Sequence, residues 1–149
     1  MRKLDEFENY IKSGVVKKQS PDRLRSESLV KESEKSYASL IEFVEKIGIT
    51  ETNANLIIKN SYDVIMEIVR AKMFLVGYNS SGTASHQAEV SYLKKLNFPA
   101  FEVEFIDQLR YFRNGITYYG KILDTDYANK VFEFLNKILP KLKESTSKL

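Results

Sequence analysis

The sequence predicts an all-α fold: an antiparallel bundle of about five to six helices, in a single domain spanning residues 1–149. Three observations lead there. Apolar residues recur at three- and four-residue steps along most of the chain, which is the repeat of one helix face. No two segments show the two-residue alternation of partnered strands. The six glycines and three prolines stand mostly where helices should begin or end.

The elements follow in order. Leu4, Phe7, Tyr10 and Ile11 mark a short amphipathic helix over Met1–Ser13, ended by Gly14. Val15–Gln19 reads as a linker, and Ser20-Pro21 as a helix start: a hydroxyl cap, then proline where its missing N–H does no harm. The helix that follows carries Tyr37, Leu40, Ile41, Val44 and Ile47 on one face and stops at Gly48. Thr50 is a cap for the next, which reaches about Val76 before Gly77. Its apolar residues are too many for one stripe, so this helix should be buried on more than one side. Tyr78–Ala84 is a loop, Ser85–Leu96 a shorter helix and Asn97–Pro99 a turn. Phe105, Leu109, Phe112, Ile116 and Tyr119 give the core stripe of a helix over about Phe101–Tyr119, followed by Gly120. Asp124 or Thr125 caps the last helix, with Tyr127, Val131, Phe134, Leu135, Ile138 and Leu142 inward. Pro140 should kink or end it, leaving Lys141–Leu149 to fray.

Composition narrows the function classes. With 43% hydrophobic and 29% charged residues, the chain has the make-up of a globular domain. There is no cysteine, so disulfides, thiolate metal sites and cysteine nucleophiles are excluded together. A single histidine, His86, rules out a His-pair metal site, and no metal or other cofactor is expected. Gly77 and Gly82 are not followed by the lysine of a phosphate loop. The net charge of +3 comes from acidic and basic residues mixed along the chain, without a linear basic arm. The most apolar stretch, Ile65–Val76, is interrupted by Glu67, Arg70 and Lys72 and cannot span a bilayer. With no apolar run after Met1–Lys3, neither a secretory signal nor an extracellular setting is expected, and a cytoplasmic protein is.

One polar cluster stands out, in the segment Arg110-Tyr-Phe-Arg113-Asn114-Gly-Ile-Thr117-Tyr118-Tyr119-Gly120. Arg110, Asn114 and Tyr118 follow at four-residue steps and share a helix face opposite the expected core stripe, with Arg113 and Thr117 beside them. Asp107 is one turn before Arg110. A guanidinium, an amide and a phenol on one face can hold phosphate oxygens and stack on a base. On chemistry alone, the favoured reading of the same groups is a buried salt-bridge and amide network that locks helix packing.

The stretch Arg110-x-x-Arg113-Asn114-x-x-x-Tyr118 resembles a motif of the HEPN family of helical-bundle proteins, in the variant form RxxRNxxxY. Tyr62–Tyr78 is similar to that family's second long helix with its Gly-Tyr loop, Ser85–Leu93 to the short Ser-His helix after it, and Asp124–Leu142 to the closing helix. The likeness covers about Asn55–Lys143, with the helices of residues 1–48 packed on that core. It implies an up-and-down bundle. In ribonuclease members, arginine and histidine from two subunits meet across a dimer cleft and promote attack of an RNA 2′-hydroxyl on phosphate without metal. Here Tyr118 and Tyr119 stand five and six residues after Arg113, where that histidine would fall. A tyrosine hydroxyl, with a reference pKa near 10, is a poor general base at neutral pH.

Several expectations follow. The chain should be a non-catalytic HEPN-like module that binds nucleotide or RNA through Arg110, Arg113, Asn114 and Tyr118, or docks a small nucleotidyltransferase in a toxin–antitoxin-like pair. The alternative is a metal-independent endoribonuclease using Arg113 with Tyr118 or His86, and a third reading is a purely structural dimer. Nine tyrosines and nine phenylalanines leave aromatic surface for a homodimer, and the resemblance would place the Arg113 helices along its cleft.

Overall fold

The computed structural model describes residues 3–120 and 122–147, with every side chain among them except those of Tyr118, Tyr119 and residues 145–147. The fold is all-α. Its elements are α1 (Phe7–Lys12), β1 (Val16–Lys18), α2 (Arg23–Ile47), α3 (Ala54–Val76), β2 (Tyr78–Ser80), α4 (Ser85–Lys95), α5 (Ala100–Tyr119) and α6 (Thr125–Ser147). One hydrophobic cluster takes in side chains from all six of these helices.

The central element is α3. Residues such as Ile57, Tyr62, Ile65, Met66 and Val69 are fully buried, and they point in different directions around the helix axis. α2 and α6 pack on it most extensively, with α4 and α5 closing the other side. α2 approaches through small residues: Ser33 is fully buried and its hydroxyl donates to the Val64 carbonyl at 2.8 Å. α1 is pinned by Phe7, whose ring lies 5.1 Å from Tyr78 and 4.9 Å from Tyr92.

The linker and the loop read from the sequence contain a strand pair. β1 and β2 are antiparallel, with Val16 opposite Ser80, Lys17 opposite Asn79 and Lys18 opposite Tyr78. The Gln19 amide extends the ladder to the Gly77 carbonyl at 2.8 Å. Three residues are too few for alternation to show, and the partners lie about sixty positions apart, so no local pattern marked them.

The caps also shift slightly. Asp22, not Ser20, caps α2 by accepting from the Arg25 amide at 3.0 Å. Thr50 and Asn53 bond each other reciprocally just ahead of α3, the Asn53 amide donating to Thr50 Oγ1 and the Thr50 amide to Asn53 Oδ1. At the end of α4, Asn97 takes a φ of 63° and the Phe98 amide reaches back to the Leu93 carbonyl, a Schellman-type stop. Asp124 caps α6 through the Tyr127 amide at 2.8 Å. α6 then runs through Pro140 to Ser147 instead of ending there. Pro140 and Asn136 are both exposed, so the carbonyl that loses its N–H partner has solvent within reach.

α5 is rotated relative to the stripe expected for it. Its buried line is Val103, Ile106, Leu109 and Arg110, while Phe105, Phe112 and Ile116 are half-buried at the flank. Phe105 stacks on Phe134 at 4.1 Å and Phe112 meets Tyr127 edge-on at 5.1 Å, so these rings fill the α5–α6 seam. Asp107, Arg110 and Arg113 lie along the same side of α5 as the buried line, and Arg113 reaches α3 at Asp63.

Candidate functional site

Arg110 does not lie opposite the core; it is 7% exposed, and its Nε donates to Asp107 Oδ1 at 2.8 Å. The i, i+3 spacing on one helix lets the two charges neutralise each other before α5 packs, which is what makes their burial tolerable. Arg113, one turn on, points to α3. Its Nη2 lies 3.6 Å from Asp63 Oδ1, and its guanidinium carbon lies 5.8 Å from the centre of the Tyr62 ring. Asn114 follows, half-buried. Tyr118 is on the same helix, but its side chain lies outside the described residues.

α4 brings its own groups to this place. His86 is the second residue of that helix, and its Nδ1 lies 3.7 Å from Glu89 Oε1, an ion-pair distance and too long for a hydrogen bond. Glu89 Oε2 accepts from Arg70 Nε of α3 at 2.9 Å and from the Ser80 hydroxyl at 3.2 Å. The charges of Arg113 and Arg110 also act on His86, as do those of Arg70 and Glu89. Burial is the largest influence and the three arginines add to it; together they outweigh Glu89 and hold the imidazole below its usual range, hence neutral at pH 7. The fold thus brings His86, some 27 positions upstream in sequence, to the cluster around Arg113.

Four polar atoms at this place are buried without a hydrogen-bond partner among the described residues: Tyr62 hydroxyl, His86 Nδ1, Glu89 Oε1 and Arg113 Nε. Buried polar atoms are normally satisfied; two of these four, His86 Nδ1 and Glu89 Oε1, lie 3.7 Å from each other, which leaves the Tyr62 hydroxyl and Arg113 Nε as the pair without a facing group. The arginines are not equal in this respect. Arg70 and Arg110 are each committed to a carboxylate by a short bond, whereas Arg113 holds Asp63 loosely and keeps its Nε open. Tyr62 is fully buried, and desolvation pushes its phenol well above the ordinary range, so it stays a neutral donor.

Tyr62, Asp63, Arg70 and Glu89 were not singled out from the sequence as site residues. A signal was present for Arg70: a charge within the apolar run of a helix buried on several sides needs a partner. Nothing local marked Tyr62 or Glu89. Among the described residues no three His, Asp or Glu side chains gather closely enough to hold a metal ion, and no helix is long and apolar enough to cross a membrane. No protein-family model, no curated protein and no solved structure matches the chain.

Proposed function

We propose that this protein is a HEPN-like module that binds a phosphate-bearing ligand, a nucleotide or RNA, at the α3–α4–α5 cluster, with Arg113 as the principal anion contact and without strong catalysis. The observation that carries this is the unpartnered Arg113 Nε in one cluster with the unpartnered Tyr62 hydroxyl and with His86, three groups of a kind that contacts phosphate. Arg110 acts from behind, fixed by Asp107. Asn114 and Tyr118, on the same helix, are the residues assigned to a sugar or base in this reading. The Arg113–Asn114 motif of the resemblance supports the reading, and with it come a homodimer paired along α5 and a small nucleotidyltransferase as partner.

The test is binding of a short single-stranded RNA and of a nucleotide as salt is varied. Affinity should fall as salt rises, because phosphate contacts release counterions. Arg113→Ala should weaken binding about 10–100-fold, the worth of a charge-assisted hydrogen bond, while Lys35→Ala on the exposed face of α2 should not. Loss of neither would leave the cluster structural.

His86 gives a second reading its footing. A neutral imidazole in the Arg113 cluster can accept a proton, a role that a tyrosine hydroxyl with a reference pKa near 10 fills poorly. Robust metal-independent RNA cleavage, abolished by both His86→Ala and Arg113→Ala, would establish an endoribonuclease instead of a binding module.

A further inference from the structure

A second place in the molecule is built for a ligand. A cleft of about 660 Å³ opens between the segment that precedes α1, the α4–α5 turn and the first turns of α5. That volume is within the range of about 300–1,000 Å³ usual for small-molecule sites. Its base is apolar, made by Leu4, Phe98, Ala100 and Val103. Its two sides carry opposite charges. Lys3 and Lys94 stand on the side of the N-terminal segment and α4; Glu104 and Asp107, one turn apart, stand on α5.

These charges do not pair across the gap: among the described residues no ion pair joins Lys3 or Lys94 to Glu104 or Asp107. Lys94 is ion-paired with the exposed Glu6, its Nζ 3.3 Å from Oε1, and lies 3.4 Å from the Leu4 carbonyl. Asp107 gives Oδ1 to Arg110 Nε, and a carboxylate has a second oxygen to offer. Facing charges of opposite sign, kept apart over an apolar floor, match a molecule that carries both charges itself.

We propose that this cleft binds a small zwitterion with an apolar body, of the class of an apolar dipeptide. The ligand ammonium goes to Glu104 and Asp107, its carboxylate to Lys94 and Lys3, and its side chains rest on Phe98, Leu4 and Val103. A ligand with one charge engages one side only and forgoes the contacts of the other, which is how such a site disfavours it. The proposal does not rest on the phosphate site, although Asp107 touches both through its bond to Arg110.

The test is calorimetric titration of the full chain with leucylphenylalanine, its N-acetylated form and its C-terminal amide. The zwitterion should bind saturably, and each blocked form should bind about tenfold or more weakly, the worth of one charge-assisted hydrogen bond. Since the ligand is changed and not the protein, a folding defect cannot imitate this pattern. Glu104→Gln, on the exposed side of α5, should weaken the zwitterion but not its N-acetylated form, and Arg113→Ala should leave zwitterion binding unchanged. Equal binding of all three forms would reduce the cleft to an apolar hollow. Tighter binding of the N-acetylated form would make it a site for anionic amphiphiles, and no binding of any form would remove it as a site; each of these overturns the proposal.

Discussion

Arg113 and Tyr62 face each other across the α3–α5 contact, the guanidinium carbon 5.8 Å from the ring centre, and neither Arg113 Nε nor the Tyr62 hydroxyl has a hydrogen-bond partner among the described residues. A buried hydroxyl left unpaired costs about 1–3 kcal/mol. A protein keeps such a cost where the group serves something other than the empty fold. Tyr62→Phe removes the hydroxyl and retains the ring. In the ligand-free protein it should leave the melting temperature unchanged or raised, and in the presence of a phosphate ligand it should weaken binding several-fold. A stability loss of more than about 1 kcal/mol would show that the hydroxyl is already satisfied in the folded chain.

The Asp107–Arg110 pair makes the opposite prediction. Its two side chains are 6% and 9% exposed and joined at 2.8 Å, so removing one strands the other. Asp107→Ala should cost about 3–5 kcal/mol, the range for breaking a buried ion pair. Replacing both with apolar residues of similar size, as in the Asp107→Leu, Arg110→Met double variant, should recover most of that loss. Urea unfolding of the single and double variants checks both statements, and a double variant as unstable as Asp107→Ala would show that the pair does more than neutralise itself.

This pair also shows where the sequence could be read and where it could not. The helices were legible because each carries its period, and α3 declared its central place by being apolar on more than one side. The rotation of α5 was not legible. Hydropathy assigns Phe105, Phe112 and Ile116 inward and Arg110 outward, and only the i, i+3 Asp107 contact, together with aromatic partners on α6, reverses that order. The Arg113 motif could be found because it is contiguous on one helix. Tyr62, Arg70, His86 and Glu89 reach it from two other helices, and no spacing in the sequence records which faces of α3 and α4 meet α5.

The strand pair carries a prediction at Gly77. This residue ends α3 with a φ of 89°, and a Cβ built on it would collide with the carbonyl oxygen of Gln19, just past β1. Two separate penalties therefore apply: the left-handed backbone and the clash with a main-chain atom that cannot rotate away. Gly77→Ala should cost about 2–4 kcal/mol and loosen the β1–β2 ladder. Amide hydrogen exchange at Gln19 should rise well beyond the global change in stability. Gly82→Ala is the control: its φ is also positive, at 90°, but nothing lies within 4 Å, so only the backbone penalty remains and the loss should be about 1 kcal/mol.

Lys72 tests the electrostatics of the core itself. It lies on α3, fully buried, and its ammonium nitrogen has no hydrogen-bond partner among the described residues. Burial alone pushes its pKa from the ordinary 10.5 down to about 8. The sign follows from counting protons. Between pH 8 and 10.5 the unfolded chain holds a proton on this amine that the folded chain has shed, so rising pH stabilises the fold across that window. Below pH 8 both states are protonated, and the whole penalty for burying the charge is present. Lys72→Met keeps the length of the side chain and removes the amine. The variant should be more stable than the parent at pH 7, by a few kcal/mol at most for a shift of this size. Its advantage should shrink steadily from pH 8 to 10.5, because there the parent sheds its penalty. Urea midpoints of the two proteins at matched pH isolate this group, since every other titrating side chain is common to both. A difference that does not change with pH would mean that the amine is charged and paired in the folded chain, and that the core around α3 contains an anion partner for it.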